Sequence, residues 1–185
     1  QANNFGVQNS SGEILLFLNA DTKIETAPGD DLFELLDKPS TGAVGLKLFN
    51  KDGTFQLSFW KENNFFNEIR NKNEEKEFAK RNAIAMGLKE TEYSGISEAD
   101  WVTGAALAVR KNVFVNAGGF DEKFFLFYED ADLCKRLKDA EYKNLFYPNC
   151  KIIHYKGEKV NQKFQTDTYY YSKESGISGI VQLDI

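Results

Sequence analysis

The chain has 185 residues, which suits one domain or most of one. Its 28 acidic and 23 basic side chains leave a net charge of −5, so no basic stripe is offered to phosphates and we expect no nucleic-acid partner. Two distant cysteines, Cys134 and Cys150, lack metal-ligand spacing, and we predict reduced core thiols rather than a disulfide.

The first part of the chain predicts strands and a helix in alternation. The continuous apolar run at 13–20 is typical of a strand covered on both faces. Residues 30–38 carry apolar side chains at helical spacing. A strand at 43–50, a glycine turn at 51–54 and an alternating segment at 55–60 together predict a hairpin.

The second part begins with a charged, asparagine-rich stretch at 61–95, which predicts a surface excursion, with a lid or acceptor-binding loop as the alternative. A strand at 105–110 and a short helix at 111–118, closed by glycine, are expected next. Residues 128–143 have near-helical apolar spacing, with acids first and bases later, as suits the helix dipole. The segment 144–157 predicts strand, turn and strand.

The strand at 13–20 runs into an amide and a carboxylate, Asn19 and Asp21. Ligands bind beyond the carboxyl ends of strands in open α/β sheets, and strand alternation places these two side chains on the same side. Both could therefore face one divalent cation through oxygen ligands. A turn-forming or helix-capping aspartate is the alternative that this segment leaves open.

Two more places carry candidate chemistry. Glu129, Asp130 and Asp132 follow the aromatic run FFLFY, and acids beside aromatic bulk can have a raised pKa and act as bases. Ordinary acidic charge at a helix N-terminus explains them equally well. His154, the only histidine, ends a predicted strand; it is either structural or a metal ligand that favours Mn²⁺ at an oxygen-rich site.

In this order, these segments resemble a family 2 glycosyltransferase of the GT-A fold, in its rhamnosyltransferase-like branch. NNFGVQNSSGEILLFLNADT resembles the segment that leads into that family's metal motif, Asp-x-Asp or Asn-x-Asp. The stretch from WVTGAALAVR through GGFDE, EDADLCKR and the terminal histidine resembles the rest of the catalytic half. The resemblance covers about 3–60 and 99–157.

The resemblance implies a metal site and places its ligands. Asp21 would bind the cation, Mn²⁺ or Mg²⁺, that bridges the diphosphate of the donor, with Asn19 as a weaker ligand. His154 would complete the metal or diphosphate site.

The resemblance also implies a reaction centre. Asp130 would be the general base that deprotonates the acceptor hydroxyl, and Glu129 would support it. Gly104 and Ala105 would let the backbone approach the donor sugar. Trp101 and Phe120 are interpreted as pocket walls or core.

The fold implied is α/β, with a mostly parallel, mixed central sheet and helices on both faces. A partial catalytic domain would occupy 1–157, with a variable acceptor-side region at 61–98, and 158–185 would form a C-terminal extension. The family's usual opening βαβ unit, which holds the nucleotide base, has no counterpart here, so we expect an N-terminal truncation.

The function implied is transfer of a sugar, with inversion, from a nucleotide-diphosphate sugar to a hydroxyl of a carbohydrate or lipid-linked acceptor. The pathway implied is the synthesis of cell-surface polysaccharide. The location implied is the cytoplasm, with peripheral association at the inner face of the membrane as an option. The alternative is a non-catalytic domain that keeps the fold and binds a carbohydrate or a protein partner.

Overall fold

The computed structural model describes residues 2–60, 91, 93–124 and 128–155, and the backbone of 180–183. The predicted excursion at 61–95 and extension at 158–185 lie largely outside the described residues. The helices and strands, in chain order, are α1 (Ala2–Asn9), β1 (Ile14–Asn19), β2 (Thr22–Thr26), α2 (Asp30–Asp37), β3 (Thr41–Phe49), β4 (Phe55–Gln56), β5 (Phe59–Trp60), β6 (Ser97–Ala99), β7 (Trp101–Val102), β8 (Ala106–Arg110), α3 (Lys111–Asn116), α4 (Glu129–Asp139), β9 (Lys143–His154) and β10 (Ile180–Leu183).

The main sheet of the described residues has eight strands. Six of them lie in the order β10, β1, β8, β3, β9, β2, while β4 pairs with β3 and β6 pairs with β9. The pairs β1–β10 and β3–β9 are parallel, and the other pairs in this sheet are antiparallel. The predicted mixed α/β sheet is therefore confirmed, but the expectation that it is mostly parallel is wrong, because five of the seven pairs in the described sheet are antiparallel. In this sheet β1 has a neighbour on each side, β8 and β10.

Both faces of the sheet are covered, as the unbroken apolar run of β1 predicts. Successive strand side chains point to opposite faces. Leu15 and Phe17 accordingly pack in one core cluster, together with residues from α1, α3 and α4. Leu16 and Leu18 pack in a second cluster, with the apolar side of α2. All four side chains are at most 2% exposed, so β1 is anchored from both sides and its end is held firmly.

Two local predictions differ from the structure. The segment 55–60 does not stay in one hairpin, because β5 leaves β3 and pairs with β7 in a separate two-stranded sheet. The segment 144–157 contains one long strand instead of strand, turn and strand. Its register against β3 shifts between Tyr147 and Ile152, so an irregularity around Pro148 takes up the residues that we assigned to a turn. Strand β2 was not predicted.

Both cysteines are buried and free of disulfide, which confirms the prediction of core thiols. Burial raises the pKa of the Cys134 thiol and of the Cys150 thiol to about 12 each. In the described part of the chain, no helix is long and apolar enough to cross a bilayer.

Candidate active site

The turn between β1 and β2 is short and held by backbone contacts. Only Ala20 and Asp21 separate the two strands. The N–H of Asn19 donates to the carbonyl oxygen of Ala105 (3.0 Å), and the N–H of Tyr155 donates to that of Asp21 (2.8 Å). The Thr22 hydroxyl donates to the carbonyl oxygen of Asn19 (2.7 Å). The positions of Asn19 and Asp21 are therefore set by neighbouring strands.

The structure brings His154 to this turn. His154 ends β9 and lies opposite Thr22 of β2 in antiparallel register. Its Nε2 atom is 3.2 Å from Oδ1 of Asp21 and 3.5 Å from Nδ2 of Asn19. The side chains of His154 and Asp21 are 12% and 22% exposed. Three residues that sequence reasoning assigned to one metal site thus meet, although their role as ligands remains a prediction.

The chemistry of this group fits a divalent cation. Carboxylate and amide oxygens suit Mg²⁺ and Mn²⁺, and an imidazole shifts the preference toward Mn²⁺. The Asn19 amide can present its oxygen by a half-turn about its last side-chain bond. Among the described residues, no group of three or more His, Cys, Asp and Glu side chains is placed to hold a metal. A cation here would therefore depend on the amide and on oxygens supplied by a ligand.

One residue of this site was missed from the sequence. The amide Nε2 of Gln56 lies 2.9 Å from Nδ1 of His154, on the side of the ring away from Asp21. Gln56 is only 7% exposed, and its Oε1 has no hydrogen-bond partner among the described residues. The available signal was a polar residue in an otherwise largely apolar segment, FQLSFW, but 98 residues separate it from the histidine.

Asp130 lies in the first turn of α4 and is held by two backbone donors. Its Oδ2 accepts a hydrogen bond from the N–H of Gly104 (2.7 Å), and its Oδ1 accepts one from the N–H of Ala131 (2.8 Å). Burial raises the pKa of the Asp130 carboxyl, and these hydrogen bonds oppose the rise. The carboxylate is therefore fixed in direction and more basic than an exposed aspartate.

Glu129 is the neighbouring acid and has a different environment. Burial raises its pKa, and the charge of Asp130 adds to the rise. Its Oε2 is buried without a hydrogen-bond partner in the part of the chain that the structure describes. The preceding Tyr128 is 54% exposed and has a positive φ of 69°. Residues 125–127 of the predicted aromatic environment lie outside the described residues.

The pair Gly104 and Ala105 connects the two halves of the site. The backbone of Ala105 binds Asn19, and the backbone of Gly104 binds Asp130. A Cβ added to Gly104 would lie 3.4 Å from the Cβ of Asp130. The close approach at Gly104 thus involves the candidate base. The predicted approach of this pair to a donor sugar remains a prediction.

The third acid of the cluster has a structural partner. Asp132 Oδ2 accepts hydrogen bonds from Nε and Nη2 of Arg136, at 2.8 and 2.7 Å. The same guanidinium donates to the carbonyl oxygens of Ala117 and Gly119, the latter at 2.8 Å. These contacts connect α4 to the turn formed by Gly118 and Gly119, the double-glycine turn. Asp132 is therefore explained as an acid in the first turn of α4 that forms an ion pair with Arg136.

Phe120 belongs to the first core cluster and Trp101 packs against it, whereas a role of either residue as a pocket wall stays a prediction. Phe120 is 6% exposed, and its ring packs against Phe17 (centroids 5.0 Å apart) and Phe114 (5.1 Å). Trp101 stacks on Trp60, with centroids 4.0 Å apart and an interplanar angle of 15°.

The fold is a mixed α/β fold of GT-A type. A solved structure of similar fold is a crystal structure of GalNAc-T7 with UDP, GalNAc and Mn²⁺, which matches with a TM-score of 0.53 at 13% identity. The match covers 93% of this chain and 36% of that one. At this identity, the likeness concerns the fold alone.

Sequence comparisons match two proteins named as rhamnosyltransferases and one named as an O-antigen biosynthesis protein. The chain is 36% identical over 62 residues to N-acetylglucosaminyl-diphospho-decaprenol L-rhamnosyltransferase of Mycobacterium tuberculosis and 40% identical over 67 residues to rhamnosyltransferase WbbL of Escherichia coli. These matches cover 34% and 36% of this chain, and 20% and 25% of the relatives. The O-antigen biosynthesis protein RfbC of Myxococcus xanthus is 28% identical over 83% of this chain and 12% of its own length. No protein-family model matches.

The named relatives are rhamnosyltransferases and an O-antigen biosynthesis protein, and the solved neighbour shares the fold. The chain spans a quarter or less of the length of these sequence relatives.

Proposed function

We propose that the protein transfers a sugar from a nucleotide-diphosphate donor to an acceptor hydroxyl, with inversion, as a family 2 glycosyltransferase in surface-polysaccharide synthesis. The observation that carries the proposal is the continuous series of contacts from Asp21 and His154, through Asn19 and the Gly104–Ala105 backbone, to Asp130. These contacts connect the candidate site for the departing diphosphate with the candidate base.

The proposed chemistry uses the two ends of this series of contacts, which are Asp130 at one end and the group around Asp21 and His154 at the other. Asp130, with its raised pKa, accepts the proton of the acceptor hydroxyl as the oxygen attacks the anomeric carbon. The bond from that carbon to the diphosphate oxygen breaks, and the diphosphate departs with the electron pair. Asp21, Asn19 and His154 would hold a divalent cation, which when bound stabilises negative charge on the departing diphosphate.

The substrates proposed come from the relatives. The names of the mycobacterial and Escherichia coli relatives specify rhamnose transfer, and the mycobacterial name specifies a diphospho-decaprenol acceptor. We therefore extend the proposal to rhamnose as the sugar and a lipid-linked glycan as the acceptor. An acceptor of this kind would bring the protein to the inner face of the membrane as a peripheral protein.

The test is release of nucleoside diphosphate by the full-length protein in the presence of Mn²⁺. A rhamnose-carrying nucleotide sugar would be supplied with and without N-acetylglucosaminyl-diphospho-decaprenol. We expect release that depends on the acceptor, and loss of release in Asp21→Ala and Asp130→Asn. Asp139→Asn is the matched control, because Asp139 is an exposed acid at the other end of α4, paired with Lys135. Donor binding without product would instead indicate the non-catalytic alternative, which the comparisons do not favour.

A further inference from the structure

The ring of His154 lies between an amide and a carboxylate. Nδ1 is 2.9 Å from Nε2 of Gln56, and Nε2 is 3.2 Å from Oδ1 of Asp21. The imidazole therefore has a polar partner at each nitrogen, and the partner on the Asp21 side belongs to the candidate cation site. The proposed reaction gives no role to Gln56, the partner at Nδ1.

The position of Gln56 is fixed by a tight hairpin. Gln56 lies opposite Leu48 in the antiparallel pair of β3 and β4. The connecting turn is closed by the N–H of Asn50, which donates to the carbonyl oxygen of Thr54 (2.8 Å), and by the Asn50 amide, which donates to the Thr54 hydroxyl (3.0 Å). Gly53 in this turn has φ 79°, which glycine adopts readily. The hairpin therefore fixes the backbone of Gln56, and its amide reaches Nδ1 of His154 from there.

The two orientations of this amide have different consequences for the ring. A neutral imidazole has one N–H and one lone pair. If the Gln56 amide donates to Nδ1, the proton is on Nε2 and points toward Asp21, so Nε2 has no lone pair for a cation. If the amide turns by half a rotation, its Oε1 accepts the Nδ1–H, and Nε2 presents its lone pair to the site.

We propose that Gln56 is a positioning residue that sets the tautomer of His154 and thereby makes Nε2 available to a divalent cation. A glutamine suits both states because its amide can donate or accept. A glutamate at this place could only accept, and a leucine could do neither. Metal-binding histidines generally donate their second ring N–H to such an acceptor, and its loss typically weakens metal affinity by about 10–100-fold. The inference rests on the proposed function, because the cation is part of that proposal.

The single histidine makes the tautomer directly measurable. In the 185-residue chain labelled with ¹⁵N in the histidine ring, every ring nitrogen signal in a long-range proton–nitrogen spectrum belongs to His154. Spectra would be recorded at a pH high enough for the neutral ring to dominate, without cation and with Zn²⁺ as a diamagnetic probe. Mn²⁺ affinity would be measured by calorimetry on the same samples.

Three variants separate positioning from packing: Gln56→Glu, Gln56→Leu and the control Leu57→Ala. Leu57 is the next residue along the chain and packs against the first core cluster. We expect wild type and Leu57→Ala to change from the Nε2–H to the Nδ1–H form when Zn²⁺ binds. Gln56→Glu should have the Nδ1–H form without cation and should keep Mn²⁺ affinity. Gln56→Leu should bind Mn²⁺ about 10–100-fold more weakly.

Two results would overturn the inference. One is the same tautomer in cation-free wild type, Gln56→Glu and Gln56→Leu. The other is an equal loss of Mn²⁺ affinity in all three variants, which would indicate a packing effect. If wild type binds no cation, the metal part of the proposed function fails, whereas the cation-free spectra of the Gln56 variants still decide whether Gln56 sets the tautomer.

Discussion

The carboxylate of Asp130 accepts a hydrogen bond of 2.7 Å from the backbone N–H of Gly104, and this contact joins two motifs that lie 26 residues apart. The bond directs one carboxylate oxygen toward the strand end that also carries Ala105 and, through it, Asn19. The position of the candidate base relative to the candidate cation site therefore depends on backbone groups.

The first prediction concerns the general base. Asp130→Asn keeps the shape of the side chain and removes its basicity. A general base contributes typically about 10²–10⁴-fold to the rate, so single-turnover transfer by the full-length protein at saturating donor should slow by that factor. Donor affinity should change little. Glu129→Gln should cost less. Near-normal transfer by Asp130→Asn together with an inactive Glu129→Gln would assign the base to Glu129.

The second prediction concerns stability and pH. Burial raises the pKa of Asp130, so its charged form is less favourable in the folded state than in the unfolded state. The folded protein should lose stability as pH rises from the unfolded pKa of an aspartate toward the raised folded pKa. Asp130→Asn should therefore gain stability relative to wild type as pH increases from acidic to neutral. Urea unfolding at several pH values checks this, with Asp139→Asn as the control; a pH-independent difference would contradict it.

The third prediction concerns the cation. Asp21→Ala should abolish Mn²⁺-dependent donor binding, because it removes the carboxylate next to His154 that we propose as a ligand of the cation. The fold should stay intact, since the backbone of the turn is held by Ala105 and Tyr155 without the side chain. Calorimetry with donor and Mn²⁺ measures the binding, and circular dichroism measures the fold. Unchanged Mn²⁺ dependence would remove Asp21 from the site, and Asp37→Ala, an exposed acid in α2, is the control.

Much of the fold can be predicted from local patterns of apolar residues, whereas the pairing of its strands cannot. The run at 13–20 and the apolar spacing of α2 and α4 are strong signals because each element buries a continuous surface. Strand β2 escapes prediction because TKIET is polar and short, and only its pairing with β9 makes it a strand. The strand through Pro148 reads as a turn, since proline is unusual inside a sheet.

The candidate site shows the same division. Asp21, Asp130 and His154 are identifiable because carboxylates and a lone histidine at strand and helix ends suggest chemistry, and Asn19 is identifiable because strand alternation places it on the same side as Asp21. Gln56 carries no such sign, and its relation to His154 exists only after the hairpin and β9 have assembled. Arg136 likewise gives no indication in the sequence that it binds the double-glycine turn.

The fourth prediction concerns that turn. Gly119 has φ 71°, and an added Cβ would lie 2.9 Å from Oδ1 of Asn4. Gly119→Ala should therefore destabilise the fold by roughly 1–3 kcal/mol through backbone strain, with the contact adding to it. Gly95→Ala is the matched control, because a Cβ there meets open space. Chemical denaturation compares the two; equal stability of the variants would contradict the role of the turn.

The fifth prediction concerns the thiols. With pKa values raised to about 12, Cys134 and Cys150 are almost entirely protonated at neutral pH, and both are buried. A thiol reagent should therefore label neither residue in the folded protein on a timescale of minutes, and should label both after addition of denaturant. Mass spectrometry counts the labels. Fast labelling of one thiol in native protein would show that its surroundings open readily.

The two-residue link between β1 and β2 has a consequence for how such a protein can change over generations. An insertion or deletion at Ala20 or Asp21 would displace Thr22 from its place opposite His154 and disrupt the turn between β1 and β2. The turn between β1 and β2 therefore does not tolerate a change in length, whereas its side chains can be substituted. A one-nucleotide change converts an asparagine codon to an aspartate codon, so Asn19 can become a second carboxylate while every strand stays where it is. At the proposed cation site, the preference for one ion over another could therefore change among descendants while the fold stays the same.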